Sequence, residues 1–190
     1  GIYNALKNKG GSVRFLIPSR LAYGINGTGS GSVENPNRIN GNQCLDYWVR
    51  IVDDQRQYDE LAIQKFAARN SITLSEYTRS ESGLYYKITG LDTGTLVKNP
   101  SSFNMVYAIK NANNVTVNES TSGVTLQYED LIRGVQDGLT KSRTGQEVSL
   151  LIPSHLGYGY ASQTATNGAV TIPSFSSVKF DYTIKSVTNY

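Results

Sequence analysis

One stretch constrains this chain more than any other, because the chain uses it twice. Leu16-Ile17-Pro18-Ser19-Arg20-Leu21-Ala22-Tyr23-Gly24 stands near the start, and Leu151-Ile152-Pro153-Ser154-His155-Leu156-Gly157-Tyr158-Gly159 stands near the end. Each copy follows an alternating, strand-like run and leads into a loop rich in Gly, Ser, Thr and Asn. After each loop comes a second alternating run, Leu45 to Ile51 in the early copy and Val178 to Ile184 in the late one. The order strand, proline turn, Tyr-Gly, loop, strand is therefore present twice. A repeat unit this long implies two related domains and not a short-period solenoid.

Side-chain periodicity fills in the elements between. Val13, Phe15 and Ile17 alternate with Ser12, Arg14 and Leu16, a strand with one buried face that Pro18 ends. Leu45, Tyr47, Val49 and Ile51 form the inner face of the closing strand, with Trp48 on the other face. Residues 1–10 read as the end of a short helix closing at Gly10-Gly11. A helix is predicted from Gln55 to Arg69, where Tyr58, Leu61, Ala62, Phe66 and the stem of Arg69 recur at threes and fours behind Asp53-Asp54. It reads as a packed spacer between domains, with a docking helix as the alternative. Leu84, Tyr86 and Ile88, then Phe103, Met105, Tyr107 and Ile109, and then Val148, Leu150 and Ile152 mark further strands. Val115 to Ser120 is another. Asn99-Pro100 and the cluster Asn111 to Asn114 read as turns.

Composition excludes some functions. The net charge of +3 is small and its basic residues are scattered, so no nucleic-acid-binding stripe is present. No apolar run is long enough to span a bilayer, and no stretch reads as a signal peptide. The glycine-rich loop at Gly27-Thr28-Gly29-Ser30-Gly31-Ser32 lacks the Lys-Ser/Thr of a phosphate-binding loop and follows a turn, so it reads as a flexible connection. The single cysteine, Cys44, excludes an internal disulfide and reads as a small, at least half-buried strand residue. The single histidine, His155, leaves no basis for a His-rich metal site and reads as a solvated turn residue.

The late copy carries a resemblance. Ile152-Pro153 to Tyr158-Gly159, then Ile172-Pro173, then Val178-Lys179-Phe180 resembles the C-terminal half of an FKBP-type peptidyl-prolyl isomerase. With Leu126 to Leu139 resembling the family's short helix and its entry, the likeness covers about Ser82 to Val187. It implies an α+β fold, a curved antiparallel sheet wrapped around a short helix, with one complete domain and the C-terminal half of another. The expected divisions are a partial domain at 1–53, a linker helix at 54–71 and a complete domain at 72–190.

The resemblance also implies a site. Tyr158 and Ile172 line one shallow apolar pocket and Phe180 lies at its base. Tyr107 faces the pocket, Leu131 and Ile132 form a wall, and the Ile132 backbone N–H donates to a substrate carbonyl. Tyr158 and Ile132 are thus the expected catalytic groups, and no metal or cofactor is implied. The chain departs from the family at two places. Val117-Asn118 stands where an aromatic followed by Asp is usual, and Val135 stands where the floor is commonly Trp. A wider, shallower and less charged pocket follows, with weakened catalysis. In the early copy, Ile39-Asn40 replaces the Ile-Pro pair, so that half-site is not expected to be active.

Two functions remain open from sequence. One is a prolyl isomerase that assists the folding of exported proteins. The other is a catalytically silent module of the same fold that holds extended apolar segments or a protein partner. Through the resemblance, the expected partners are proline-containing polypeptides and macrolide immunosuppressants. The linker resembles those of secreted or lipid-anchored bacterial relatives, which places the chain in the periplasm or at the cell surface.

Overall fold

The structure is a computed structural model that describes residues 2–6, 8, 10–29, 38–98 and 101–189. The Asn99-Pro100 turn and residues 30–37 of the glycine-rich loop lie outside the described residues. The chain divides into two compact units, Gly1–Gln55 and Arg56–Tyr190.

The first unit holds α1 (Ile2–Ala5), β1 (Ser12–Ile17) and β2 (Leu45–Arg50). The two strands pair antiparallel in the register Phe15 with Tyr47 and Ile17 with Leu45. Val13, Phe15 and Ile17 are half-buried while their neighbours on β1 are exposed, as the alternation requires. Trp48 is 64% exposed on the other face. Cys44, expected to be at least half-buried, is exposed, because it precedes β2 and does not enter the ladder.

The second unit begins inside α2 (Gln55–Arg69), at its second residue, and holds β3 (Thr78–Arg79), β4 (Tyr85–Thr89), β5 (Ser101–Lys110), β6 (Thr116–Gln127), α3 (Arg133–Leu139), β7 (Glu147–Ile152), β8 (Gln163–Thr164), β9 (Val170–Ile172) and β10 (Val178–Asn189). Six strands form one antiparallel sheet in the order β3-β4-β7-β10-β5-β6. The expected sheet and short helix are both there. The strand expected at Val115 to Ser120 runs on as far as Gln127, so Leu126 and Gln127 belong to it and not to the helix entry. Its register shifts between the Met105 and Tyr107 pairings, a bulge that bends β6 beside the residue expected to face the pocket.

The inner face of the sheet packs on α3. Val148, Leu150, Ile152, Phe180, Tyr182 and Ile184 are all buried there. Contact is possible because the face of α3 toward β7 carries glycine. A Cβ at Gly134 would sit 2.4 Å from Ile152 Cγ2, and one at Gly138 2.7 Å from Leu150 Cδ1. The outer face is partly covered by α2, whose Ile63 and Phe66 form a cluster with Tyr85 and Leu151. The helix turns a different face inward from the one its apolar spacing predicts. Asp59, Ile63, Phe66 and Ala67 are buried, whereas Leu61 is 42% exposed.

The two proline turns are built alike. Pro18 and Pro153 have φ/ψ of −64°/149° and −64°/154°. In each, a single turn of 3-10 helix follows, and the residue six after the proline donates its N–H to the serine carbonyl: Gly24 to Ser19 O at 2.8 Å, Gly159 to Ser154 O at 2.9 Å. Both glycines have positive φ, 62° and 58°, a conformation that disfavours a side chain. The loops close alike as well: Thr28 bridges Ile39, and Gln163 pairs Ile172. Tyr23 therefore matches Tyr158, and Ile39 matches Ile172.

Gly134→Ala should destabilise the second unit by about 1–3 kcal/mol, the usual cost of overpacking a filled core. Urea unfolding should show a lower midpoint with an unchanged slope; a midpoint equal to that of the parent protein would mean that α3 does not lie this close to β7.

Candidate active site

The site is assembled on the inner face where α3, β5, β6, β10 and the segment after β7 converge. Phe180 sits on β10 and is 4% exposed. Tyr107, from the neighbouring β5, stacks on it with ring centroids 5.5 Å apart and an interplanar angle of 18°. Tyr182 meets Phe180 edge-on at 5.9 Å, and its hydroxyl pairs with Ser142 Oγ at 3.0 Å. Stacked and edge-on pairs of this kind hold ring orientation as well as burying area. A second bond fixes Tyr107: its hydroxyl donates to Asn118 Oδ1 at 3.2 Å. Asn118 is exposed at the rim and Val117 is half-buried against the core.

The opposite wall comes from the approach to α3. Gln136 Nε2 donates to Tyr128 O at 3.0 Å, and the Tyr128 hydroxyl donates back to Gln136 O at 3.3 Å. These bonds fasten the 3-10 turn Tyr128–Asp130 to the helix and hold Leu131 and Ile132 between them. Ile132 is the N-cap of α3; its carbonyl accepts from Val135 and Gln136, and its N–H has no acceptor among the described residues. The third side is the segment from Tyr158 to Ile172. Ile172 is buried, and Tyr158 is half-buried with no hydrogen bond to its hydroxyl among the described residues. Burial, and secondly the nearby Tyr107 phenol, push the Tyr158 phenol above its ordinary value. It therefore stays a neutral O–H donor at working pH.

Tyr107, Val117, Leu131, Ile132 and Tyr158 all pack, part-buried, against the one cluster that contains Val135, Ile172 and Phe180. Asn118 joins them through its bond to Tyr107. Val135, with no exposed surface, belongs to the core on which these residues pack. Together they form one apolar patch, the candidate basin, with two donors, Tyr158 O–H and Ile132 N–H, that meet no acceptor among the described residues. Its chemistry is suited to an uncharged, weakly dipolar group that accepts a hydrogen bond. Another groove lies on the outer face of the same sheet, between Lys87, Ser149, Asp181 and Ala108; it reaches Tyr107 but not Tyr158 or Ile172.

Asn111 escaped the sequence analysis, where it belonged only to a turn cluster. Its Oδ1 accepts from the Asn113 and Val115 N–H groups at 3.0 and 3.1 Å, and its Nδ2 donates to Thr171 O at 3.1 Å. One side chain thus ties the β5–β6 turn to the residue beside Ile172. An Asn two residues before another turn residue is a frequent local pattern, but only the fold brings Thr171 to it.

This fold and basin define a class. A family profile described as FKBP-type peptidyl-prolyl cis-trans isomerase matches residues 86–185, just over half of the 190 residues. The chain belongs to that family. It is 28% identical over 145 residues to FKBP-type peptidyl-prolyl cis-trans isomerase FkpA of Buchnera aphidicola, covering 74% of this chain and 55% of that protein. It is 25% identical over 160 residues to human peptidyl-prolyl cis-trans isomerase FKBP10, covering 84% of this chain and 24% of that one. The chain thus spans about half the length of the first relative and a quarter of the second. Among solved structures, a peptidyl-prolyl cis-trans isomerase from Pseudomonas syringae superposes with a TM-score of 0.57 at 19% identity, over 73% of this chain and 99% of that one. FkpA from Escherichia coli gives 0.57 at 22% identity, over 71% and 60%. These likenesses establish the fold.

Burial raises the Tyr182 phenol too, with the Ser142 bond opposing, so two core tyrosines hold their protons longer folded than unfolded. Unfolded tyrosine titrates near pH 10. The folded values lie above the unfolded one, so this stability is complete below about pH 10 and is lost as pH rises through the folded values. The urea midpoint should fall above about pH 10, and Tyr182→Phe should flatten that alkaline limb. A parent midpoint that does not move by pH 11 would contradict the burial of both phenols.

Proposed function

We propose that the second unit is a peptidyl-prolyl cis-trans isomerase of low efficiency, acting on X–Pro bonds of protein substrates. One observation carries this reading: an apolar patch around Phe180 that includes two donors, Tyr158 O–H and Ile132 N–H, which meet no acceptor among the described residues. Rotation about an X–Pro bond crosses a barrier of about 18–20 kcal/mol, because the amide is resonance-stabilised. The planar amide is the more dipolar state, so removing it from water favours the twisted one. The proline ring settles among Tyr107, Ile172 and Phe180. The Ile132 N–H orients a substrate carbonyl and the neutral Tyr158 hydroxyl donates to the rotating imide. Catalysis of this kind is differential binding of the transition state by fixed dipoles, with no covalent step.

The low efficiency follows from Val117, Asn118 and Val135. A lost aromatic wall is worth on the order of 1–2 kcal/mol of apolar burial, and about 1.4 kcal/mol is tenfold in rate. Asn118 holds the Tyr107 hydroxyl as a neutral acceptor and adds no charge to the site. The fully buried Val135 favours a second reading, a silent module that binds extended apolar segments, because no floor aromatic is offered to a proline ring. Proline-bearing polypeptides and macrolide ligands of the FK506 type are the partners that the basin suits. Assistance to the folding of exported proteins, in the periplasm or at the cell surface, is the cellular role we infer. Among the described residues no helix is long and apolar enough to cross a membrane.

A protease-coupled assay on a Leu-Pro peptide tests the reading. Activity should exceed buffer but stay roughly a hundredfold below an isomerase with both aromatics. Val117→Phe with Asn118→Asp should raise kcat/KM, and Tyr158→Phe should lower it several-fold. Parent activity equal to buffer, and unmoved by the double substitution, would favour the binding module.

A further inference from the structure

The helix α2 lies outside the matched residues 86–185, yet it carries the most buried charge in the second unit. Asp59 is 1% exposed on the face that otherwise presents Ile63, Phe66 and Ala67. An apolar residue there would continue the packing without the cost of desolvating a carboxylate, which is several kcal/mol per buried ion. The carboxylate faces one short turn. Ser154 Oγ lies 2.8 and 2.9 Å from its two oxygens and donates to them. The His155 backbone N–H donates to Oδ2 at 3.3 Å, and the His155 ring meets the same oxygen through Nδ1 at 3.1 Å. The other ring nitrogen meets Ser82 O at 3.0 Å. His155 is therefore a bonded, part-buried residue and not the solvated one its turn position predicts. Ser154 and His155 begin a 3-10 turn in which the Pro153 carbonyl accepts from Leu156 and Gly157 and the Ser154 carbonyl from Gly157 and Gly159, and Tyr158 lies inside that bonded loop.

The first unit supplies the comparison. Its turn shares three of the four backbone bonds, with Ser19 and Arg20 in place of Ser154 and His155. There Pro18 is exposed, Ser19 is only half-buried and the matching Tyr23 is 46% exposed. Among the described residues no side-chain bond holds Ser19 or Arg20, so the shared backbone bonds form there without a carboxylate, and the second unit differs in the burial of Pro153 and Ser154 and in the Asp59 bonds.

Resting on the isomerase reading, we propose that Asp59 is a positioning residue for that site: α2 clamps the Ser154–His155 turn and so fixes the Tyr158 hydroxyl over the basin. The α2 helix is then a working part of the isomerase unit. A donor that acts on the rotating imide loses its effect when its position spreads, which lowers kcat more than it raises KM.

The test uses the whole chain with Asp59→Asn, Ser154→Ala and His155→Ala, and with Ile63→Ala as a packing control on the same helix. Amide exchange should rise about tenfold or more at Leu156, Gly157 and Gly159 in Asp59→Asn and Ser154→Ala, relative to the amides of β10. The ring signals of His155, the chain's one histidine, should shift in Asp59→Asn and hold in Ile63→Ala. For a Leu-Pro peptide, kcat should fall about fivefold to twentyfold in Asp59→Asn with KM within twofold. Ile63→Ala should lower stability and leave kcat unchanged. Should Asp59→Asn fail to fold, Ser154→Ala and His155→Ala carry the same measurements. Exchange at the three turn amides rising no more than in β10, or an equal loss of kcat in Ile63→Ala, overturns the proposal. If the parent protein shows no isomerisation, the isomerase reading fails by itself, and the exchange and His155 signals still decide whether the clamp holds the turn.

Discussion

The close approach of α3 to β7 governs the second unit. Gly134 and Gly138 leave no Cβ between the helix and the side chains of Ile152 and Leu150. Helix axes and sheets ordinarily keep the distance that their side chains impose; here two positions without side chains let the sheet wrap the helix. That proximity sets Leu131 and Ile132, at the helix entry, across from Phe180 and Tyr107. A helix held farther off would leave a wide trough with its donors out of reach of one bound group. The bulge between Met105 and Tyr107 bends β6 at the same level, bringing Asn118 over the Tyr107 hydroxyl.

The sheet is held from its other side as well. The face that α2 covers contains Tyr85 and Leu151, while Glu60 accepts from the Tyr85 hydroxyl at 2.5 Å and from Arg79 Nε at 2.9 Å. Apolar burial by Ile63 and Phe66 supplies the non-directional part of that attachment. The polar bonds of Asp59 and Glu60 give it direction, because a carboxylate inside the protein is tolerable only where donors meet it. The proline turn sits where these influences join. It ends β7, which α3 packs on, it is bonded by α2, and it leads directly to Tyr158.

Comparing the two copies separates what a turn needs from what a site needs. Backbone angles at the two prolines agree within a few degrees, and three hydrogen bonds after them correspond, the second turn adding one from Gly157 N–H to Pro153 O. That geometry is local: proline fixes its own φ, and glycine at the end accepts positive φ. Burial is not local. It differs between the copies because each unit offers different neighbours to the same turn.

Where a signal was local or periodic, the sequence alone determined the outcome. The repeated turns, the alternating faces of β1, β5, β7 and β10, the α+β class and the family were legible in this way, since a strand's side chains alternate whatever its partners are. Tertiary structure alone decided the rest. It buried Val135 completely, left Cys44 exposed and drew Leu126 and Gln127 into β6. It also turned α2 so that Asp59 faces inward and Leu61 outward. A helical pattern fixes which residues share a face but not which face another element covers. Here that choice rests on Ser154 and His155, about ninety-five residues away in the chain, and no window of sequence around Asp59 contains them.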